Sequence, residues 1–327
     1  MTASIGRALA LALLLAGPIG VGRAAEPTPL GISYVVGNSI YWDVDTAIDE
    51  GFFHDEGFAP EPTTFQSSPQ AVQLLISGGA DLVTVEPEAL MAAVLRGGTD
   101  LGAIAQAQQT PDWLLVGRPE VKDWSDLKDK TIGFSALRVL EFFLTQRLLA
   151  SHGLGKDDWN AIQVGTSPAK LAALEKGSIA ASVLFDPLAF KAITDQGGLH
   201  SLAKYTDLGK YPPTVFVVKR SWAGQADNGM RLARVLVRAH AWLYDPAHHD
   251  AALTIVEKYT KCDAATAQRV YEQYFLTDKL YTPDAAIDLD GLGRETALLA
   301  ENGEVPKDKT LDPRQFILAK EQGGMAH

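Results

Sequence analysis

FQSSPQAVQLLISGGADLVTVEPEAL, residues 65–90, is written almost a second time as VGTSPAKLAALEKGSIAASVLFDPLAF, residues 164–190. Each copy runs from a strand end through Ser-Pro and an amphipathic helical pattern to Gly, then a short apolar strand, then an acid and Pro. Ser68-Pro69 answers Ser167-Pro168, Gly78 answers Gly177, and Glu86-Pro87 answers Asp186-Pro187. Ser before Pro reads as an N-cap with the first helical residue, because a hydroxyl accepts an unpaired N–H and the ring's φ suits a position that needs no donor. Gly then stops the helix. The strands LVTV (82–85) and SVLF (182–185) are nearly all apolar, as strands covered on both faces are.

The correspondence extends outward. LGISYVVGNSIYWDVDTAIDEGFFHDEGF (30–58) shares its plan with TIGFSALRVLEFFLTQRLLASHGL (131–154): strand, polar loop, helix, and a Gly before the next strand. Downstream, Arg96-Gly97-Gly98 with AIAQ and WLLVGR answers Gln196-Gly197-Gly198 with SLAK and VFVVKR. A unit of about a hundred residues seen twice means duplicated lobes and not a solenoid. Alternating strands and helices make these α/β lobes with largely parallel sheets.

Residues 1–25 read as a signal peptide, with Arg7 as a positive start, an apolar run over 8–17 and a small-residue cleavage zone at Gly22-Arg23-Ala24-Ala25. An exported, periplasmic protein follows. The first lobe is expected over 26–117 and 214–327, and the second over 118–213. The polar stretch RPEVKDWSDLKDK makes the first crossing and TDLGKYPP the return. After Val218 five amphipathic patterns follow, ending in PRQFILAKEQ, with no strands of their own, and are expected to pack on lobe one.

Without Arg7 and Arg23 the chain holds 27 basic and 40 acidic residues, a net charge near −13. That excludes nucleic acid as a partner and argues against an anionic membrane surface. The lone Cys262 permits no internal disulfide and, in an apolar helical context, reads as a small core residue. No G-x-S-x-G, P-loop, H-E-x-x-H, C-x-x-C or complete G-x-G-x-x-G occurs, so no catalytic or cofactor site is expected. His248-His249-Asp250 is the one metal-like cluster, yet adjacent helical side chains diverge by about a hundred degrees. It reads as a solvated helix start capped by Asp245-Pro246, and no metal site is expected.

Ligand chemistry belongs where strand ends meet helix starts, in the crevice between the lobes. The equivalent edges there are Ser39, Ile40 and Trp42, then Gln66, Ser67, Ser68 and Glu86 from lobe one. Lobe two supplies Ser135, Ala136, Arg138, Thr166, Ser167 and Asp186. Ser68, Ser167 and Asp186 are also sufficiently explained as helix caps. Glu86 is not a favoured cap type, which suits a ligand or lobe-closing role. Arg138 in a first helical turn opposes the macrodipole, a cost a bound anion would offset, or else it pairs on the surface with Glu141. Trp42, Trp113 and Tyr211 either wall the cleft or pack in the core.

In this order the export signal, the GFF…GF opening, LLISGGADLV, WSDLKDKTIGF and VLFDPLAF resemble the periplasmic substrate-binding proteins of ABC importers, in the nitrate/sulfonate/taurine (NMT1/THI5-like) group. The likeness covers residues 30–245. It implies a two-lobed type II binding-protein fold with two crossover strands, closing around one small molecule and docking on a membrane permease. By position it places ligand-facing loops at 39–42, 66–68, Glu86, 106–108 (with Gln108), 135–138 and Asp186. Asp129 replaces the usual Gly of the crossover, a turn-level change. One Cys in all is incompatible with the Cys-rich segment of the related pyrimidine-synthesis enzymes, and the export signal separates the chain from cytoplasmic menaquinone-pathway relatives. The expectation is a monomeric, non-enzymatic receptor for a small organic molecule, a sulfonate- or taurine-like anion or zwitterion first. Pyrimidine or aromatic-acid ligands, an exported enzyme and a ligand sensor on the same fold stay open.

Overall fold

The computed structural model describes residues 26–195, 197–305 and 311–318, so residues 1–25, where a signal peptide is expected, and Gln196 lie outside the described residues. Two five-stranded sheets are built on one plan. The first contains β1 (Thr28–Ser33), β2 (Phe58–Thr63), β3 (Leu82–Val85) and β4 (Leu101–Gln106). The second contains β5 (Leu114–Gly117), β6 (Thr131–Phe134), β7 (Asn160–Gln163), β8 (Ala181–Leu184) and β9 (His200–Lys204), and β10 (Val215–Lys219) returns to the first. The orders are β2-β1-β3-β10-β4 and β7-β6-β8-β5-β9.

These orders are the same once the exchange of β5 and β10 is recognised. β10 runs antiparallel between β3 and β4, and β5 runs antiparallel between β8 and β9. Each lobe thus completes its sheet with the other copy's last strand, which makes the two expected crossover strands. The boundary differs from expectation: Leu114–Gly117 was assigned to lobe one but pairs in the second sheet, so the first crossing precedes Trp113. A four-residue strand of LLVG buried throughout needs cover on both faces, and it finds neighbours only between β8 and β9.

The helices follow the repeat. α1 (Trp42–Asp49), the short α2 (Phe52–Asp55), α3 (Ser68–Ser77) and α4 (Pro87–Leu95) cover the first sheet. α5 (Leu140–Ser151), α6 (Ser167–Glu175) and α7 (Leu188–Thr194) cover the second. Gly78 closes α3 at φ 80° and Gly177 follows α6 at φ 75°, left-handed positions where a side chain would be strained. Gly133 on β6 is required by packing instead. A Cβ there would sit 2.6 Å from Ile179 Cδ1 and 2.9 Å from Val164 Cγ2. Gly133→Ala is therefore expected to cost about 1–3 kcal/mol, read as a lower urea midpoint; an unchanged midpoint would contradict this packing.

Beyond β10, the one-turn α8 (Arg220–Ala223) leads to α9 (Asn228–Tyr244), α10 (His249–Thr260), α11 (Ala264–Tyr271) and α12 (Leu289–Glu301). α9 and α10 pack on α1, and α12 packs on α4, so this region covers lobe one as expected. PRQFILAKEQ is the exception. Its described part is one 3-10 turn, Pro313–Phe316, after which Ile317 forms a bridge with Ala103 and the Leu318 N–H donates to the Ala103 carbonyl at 2.8 Å. The open edge of β4 offers backbone partners that a helix could not use. Among the described residues no helix is long and apolar enough to cross a membrane.

Candidate functional site

A cavity of about 740 Å³ lies between the lobes. Lobe one contributes the loop before α1 (Gly37, Asn38, Ile40), the approach to α3 (Phe65 to Pro69) and Glu86. Lobe two contributes Ser135, Ala136, Thr166, Ser167, Phe185 and Asp186. Trp113 and Thr214, beside the two crossings, form its floor, and Lys261, Cys262 and Asp263 after α10 form one side of its mouth. The lobes touch on one side of the cavity, where the Ser39 N–H donates to the Asp186 carbonyl at 3.4 Å, and again where the Leu140 N–H donates to Glu88.

The repeated Ser-Pro pairs begin their helices one residue earlier than a simple cap would require. Ser67 and Thr166 occupy the N-cap positions in extended conformation, so Ser68 and Ser167 are first-turn residues. Their hydroxyls are released for other work. Ser68 Oγ accepts from the Glu86 N–H at 3.3 Å, tying the start of α3 to the end of β3. Ser167 Oγ is buried without a partner among the described residues and lines the cavity. Asp186 is likewise no cap: α7 starts after Pro187 without a side-chain bond at its N-terminus.

Two acidic residues of the interior line the cleft. Asp186 is 2% exposed and its Oδ1 has no hydrogen-bond partner among the described residues. Burial, and next the charge of Asp112, hold its pKa well above the ordinary carboxylate value. Glu86 is partly exposed. Desolvation raises its pKa most, followed by the charges of Glu88 and Glu141, with Lys170 opposing them. Behind the lobe-two wall, Lys170 Nζ lies 3.0 Å from Glu141 Oε1 and 2.8 Å from Ser135 Oγ, both charged side chains being fully buried. The ammonium also stands 4.4 Å from the Phe185 ring centre. This pair fixes Ser135 and Phe185 from behind.

Of the residues singled out in the sequence, Ile40, Gln66, Ser67, Ser68, Glu86, Trp113, Ser135, Ala136, Thr166, Ser167 and Asp186 line the cavity. Five do not. Ser39 turns inward to bond Tyr274 at 2.9 Å. Trp42 is fully buried among Tyr271, Tyr274 and Phe275, and its Nε1 donates to the Ala252 carbonyl at 3.2 Å. Gln108 is buried and bridges to Tyr281. Arg138 leaves the cleft: at φ 65° it precedes α5 and pairs with Glu304 at 2.7 Å, not with Glu141. Tyr211 accepts from Arg147 Nη1 at 2.7 Å. Long side chains on the correct loops follow whichever partner tertiary packing offers.

Phe185 and the 261–263 turn were not anticipated as site residues. The repeat carried a signal for Phe185, since it stands where Val85 stands before the acid. Cys262 was expected in a helix core, but it lies half-buried in the turn after α10, and burial raises its thiol pKa. The C-terminal helices have no counterpart in the repeat, so nothing local pointed that turn at the cleft. Asp245 caps the turn before α10 as expected, accepting from the Ala247 N–H at 2.9 Å. Among the described residues no group of three His, Cys, Asp or Glu is placed to hold a metal ion.

A sequence model of the NMT1-like family matches residues 23–257. No curated protein matches the chain. Among solved structures, the chain is similar to the alkanesulfonate-binding protein SsuA from Xanthomonas axonopodis pv. citri bound to MOPS, at 20% identity and TM-score 0.70 over 91% of this chain and 99% of that one. It is similar to the aliphatic sulphonate-binding protein SsuA from Escherichia coli, at 19% identity and TM-score 0.70 over 91% and 99%. It is also similar to the nitrate-binding protein NrtA from Synechocystis PCC 6803, at 14% identity and TM-score 0.75 over 93% and 89%. The two-lobed periplasmic-binding-protein fold expected from the sequence is therefore the fold of this chain.

Proposed function

Because the chain belongs to the NMT1-like family, we propose that it is the exported solute-binding component of an ABC importer. It captures one small organic molecule between its lobes and presents the closed form to a membrane permease. The observation that carries this is the 740 Å³ cavity between two lobes of one plan, joined by exchanged strands and walled by hydroxyls, two carboxyls and Trp113. Such strands permit one lobe to rotate against the other, and a ligand touching both lobes favours the closed state by its differential contacts. The protein acts as a monomer, and its cleft residues bind rather than react. The similar proteins are named for sulfonate and nitrate, but Arg138, the one guanidinium expected to favour an anion, pairs outside the cleft. A ligand with hydrogen-bond donors suits these walls better.

The test is a thermal-shift screen of the mature protein over sulfonates, amines, pyrimidines and aromatic acids, followed by small-angle scattering. A solute at a hundred times its Kd should add about 2.7 kcal/mol of stability and contract the molecule. Trp113→Ala should weaken that solute by roughly tenfold. A protein that releases no solute on denaturation and responds to none in the screen would overturn the receptor function.

A further inference from the structure

We propose that the cleft selects a compact organic cation, a flat apolar body bearing an amino or amidinium group, which the Glu86 and Asp186 carboxyls hold from opposite lobes. This rests on the receptor function above and names its ligand class. Five charged residues line the cavity: Glu86, Asp186, Lys191, Lys261 and Asp263. The last three are exposed at the mouth, where water screens them. The interior charges are the two acids, one from the end of β3 and one from the end of β8.

The cations behind these walls are already engaged. Lys170 is held by Glu141 and Ser135. Lys204 bonds Asp278 at 2.7 Å, and Arg269 lies 4.8 Å from the Phe190 ring centre. Asp186 Oδ1, on a residue 2% exposed, is left without a hydrogen-bond partner among the described residues. A buried carboxyl oxygen left unpaired is expensive, and burial, only partly offset by the Phe190 N–H at Asp186 and the Ser68 hydroxyl at Glu86, has shifted both groups towards the protonated form. A ligand cation supplies the missing charge and the missing donor together. Trp113, Phe185 and Tyr41 add aromatic residues to the lining, which a delocalised cation favours over an anion. An anion placed there would find no cationic side chain lining the interior to pair with.

Benzamidine, benzamide and benzoate share one shape and differ in charge. Calorimetric titration of the mature protein should find benzamidine binding roughly tenfold or more tighter than either other compound. Glu86→Gln and Asp186→Asn should each lower benzamidine affinity by roughly ten- to a hundredfold while leaving benzamide binding little changed. Both substitutions remove a carboxyl that folding disfavours in its charged form, so each variant's melting temperature without ligand should hold or rise, which separates lost binding from lost folding. Equal or tighter binding of benzamide or benzoate, a benzamidine preference that survives both substitutions, or no binding of any of the three would overturn the cationic class. If a sulfonate or another solute of the broader screen binds while benzamidine does not, the class falls and the receptor function stands. If nothing binds and nothing is released on denaturation, the receptor function falls with it.

Discussion

Glu141→Ala should be among the most damaging single substitutions in this chain, costing about 3–5 kcal/mol of stability. Lys170 is fully buried and Glu141 is its only ionic partner among the described residues, at 3.0 Å. Desolvation already pulls the Lys170 pKa down, and the Glu141 charge is the main opposing influence. Without that carboxylate the ammonium must either stay charged in an apolar setting or give up its proton, and both are costly. Thermal unfolding should fall by roughly ten degrees, and Ser135 and Phe185 should lose their backing at the cleft wall. The double variant Glu141→Leu with Lys170→Met should recover most of the loss, since a buried pair replaced by apolar side chains of similar volume is often neutral. A single variant within about 0.5 kcal/mol of the parent would show that the pair is not buried as described.

The second large effect is on pH. Burial lifts the pKa of Glu88 to about 7, of Asp112 to about 7 and of Asp45 to about 8, and it holds Glu295 well above the ordinary range. Glu88 on α4 accepts from the Leu140 N–H at the start of α5, so it sits at the junction of the lobes. Glu295 on α12 is 1% exposed, with both carboxyl oxygens unpartnered among the described residues. For an acid raised in this way, the folded state keeps a proton that the unfolded chain has released. Its contribution is complete below the unfolded value near 4 and is lost as pH rises through the folded value. Each group contributes a slope of up to about 1.4 kcal/mol per pH unit within that window. Glu120, Asp123 and Asp263 shift the other way but are fully exposed, so their opposition is weak. Guanidinium unfolding should therefore give a stability at pH 5 exceeding that at pH 8 by at least about 2 kcal/mol. Glu295→Gln should flatten the curve. Stability that rises between pH 5 and pH 8 would mean these carboxyls are solvated or paired.

Much of this molecule was legible in short stretches of chain. Ser-Pro before α3 and α6, Gly78 and Gly177 after them, and the apolar strands before Glu86 and Asp186 each act over a few residues, through backbone geometry that a local pattern dictates. Their repetition at a spacing of about a hundred residues was enough to read two lobes, and hence a cleft, without knowing any contact. The walls at Ser67, Ser68, Glu86, Ser135 and Asp186 followed, because equivalent loops of duplicated lobes meet across one gap.

What only the tertiary structure decided is non-local. An apolar run such as Leu114–Gly117 fits either sheet by pattern, and its place between β8 and β9 depends on which lobe has an unfilled pairing position. Arg138, Trp42 and Tyr211 sit on or near the expected loops, yet their side chains go to Glu304, to the Tyr271 and Phe275 cluster, and to Arg147, all more than sixty residues away in the chain. The direction of a long side chain is set by the best partner in space, and that partner leaves no periodic mark in the sequence beside it. The alternation of strand, cap and helix determined that the protein has a cleft; three-dimensional packing decided that the ionisable groups lining its interior are two acids and no guanidinium.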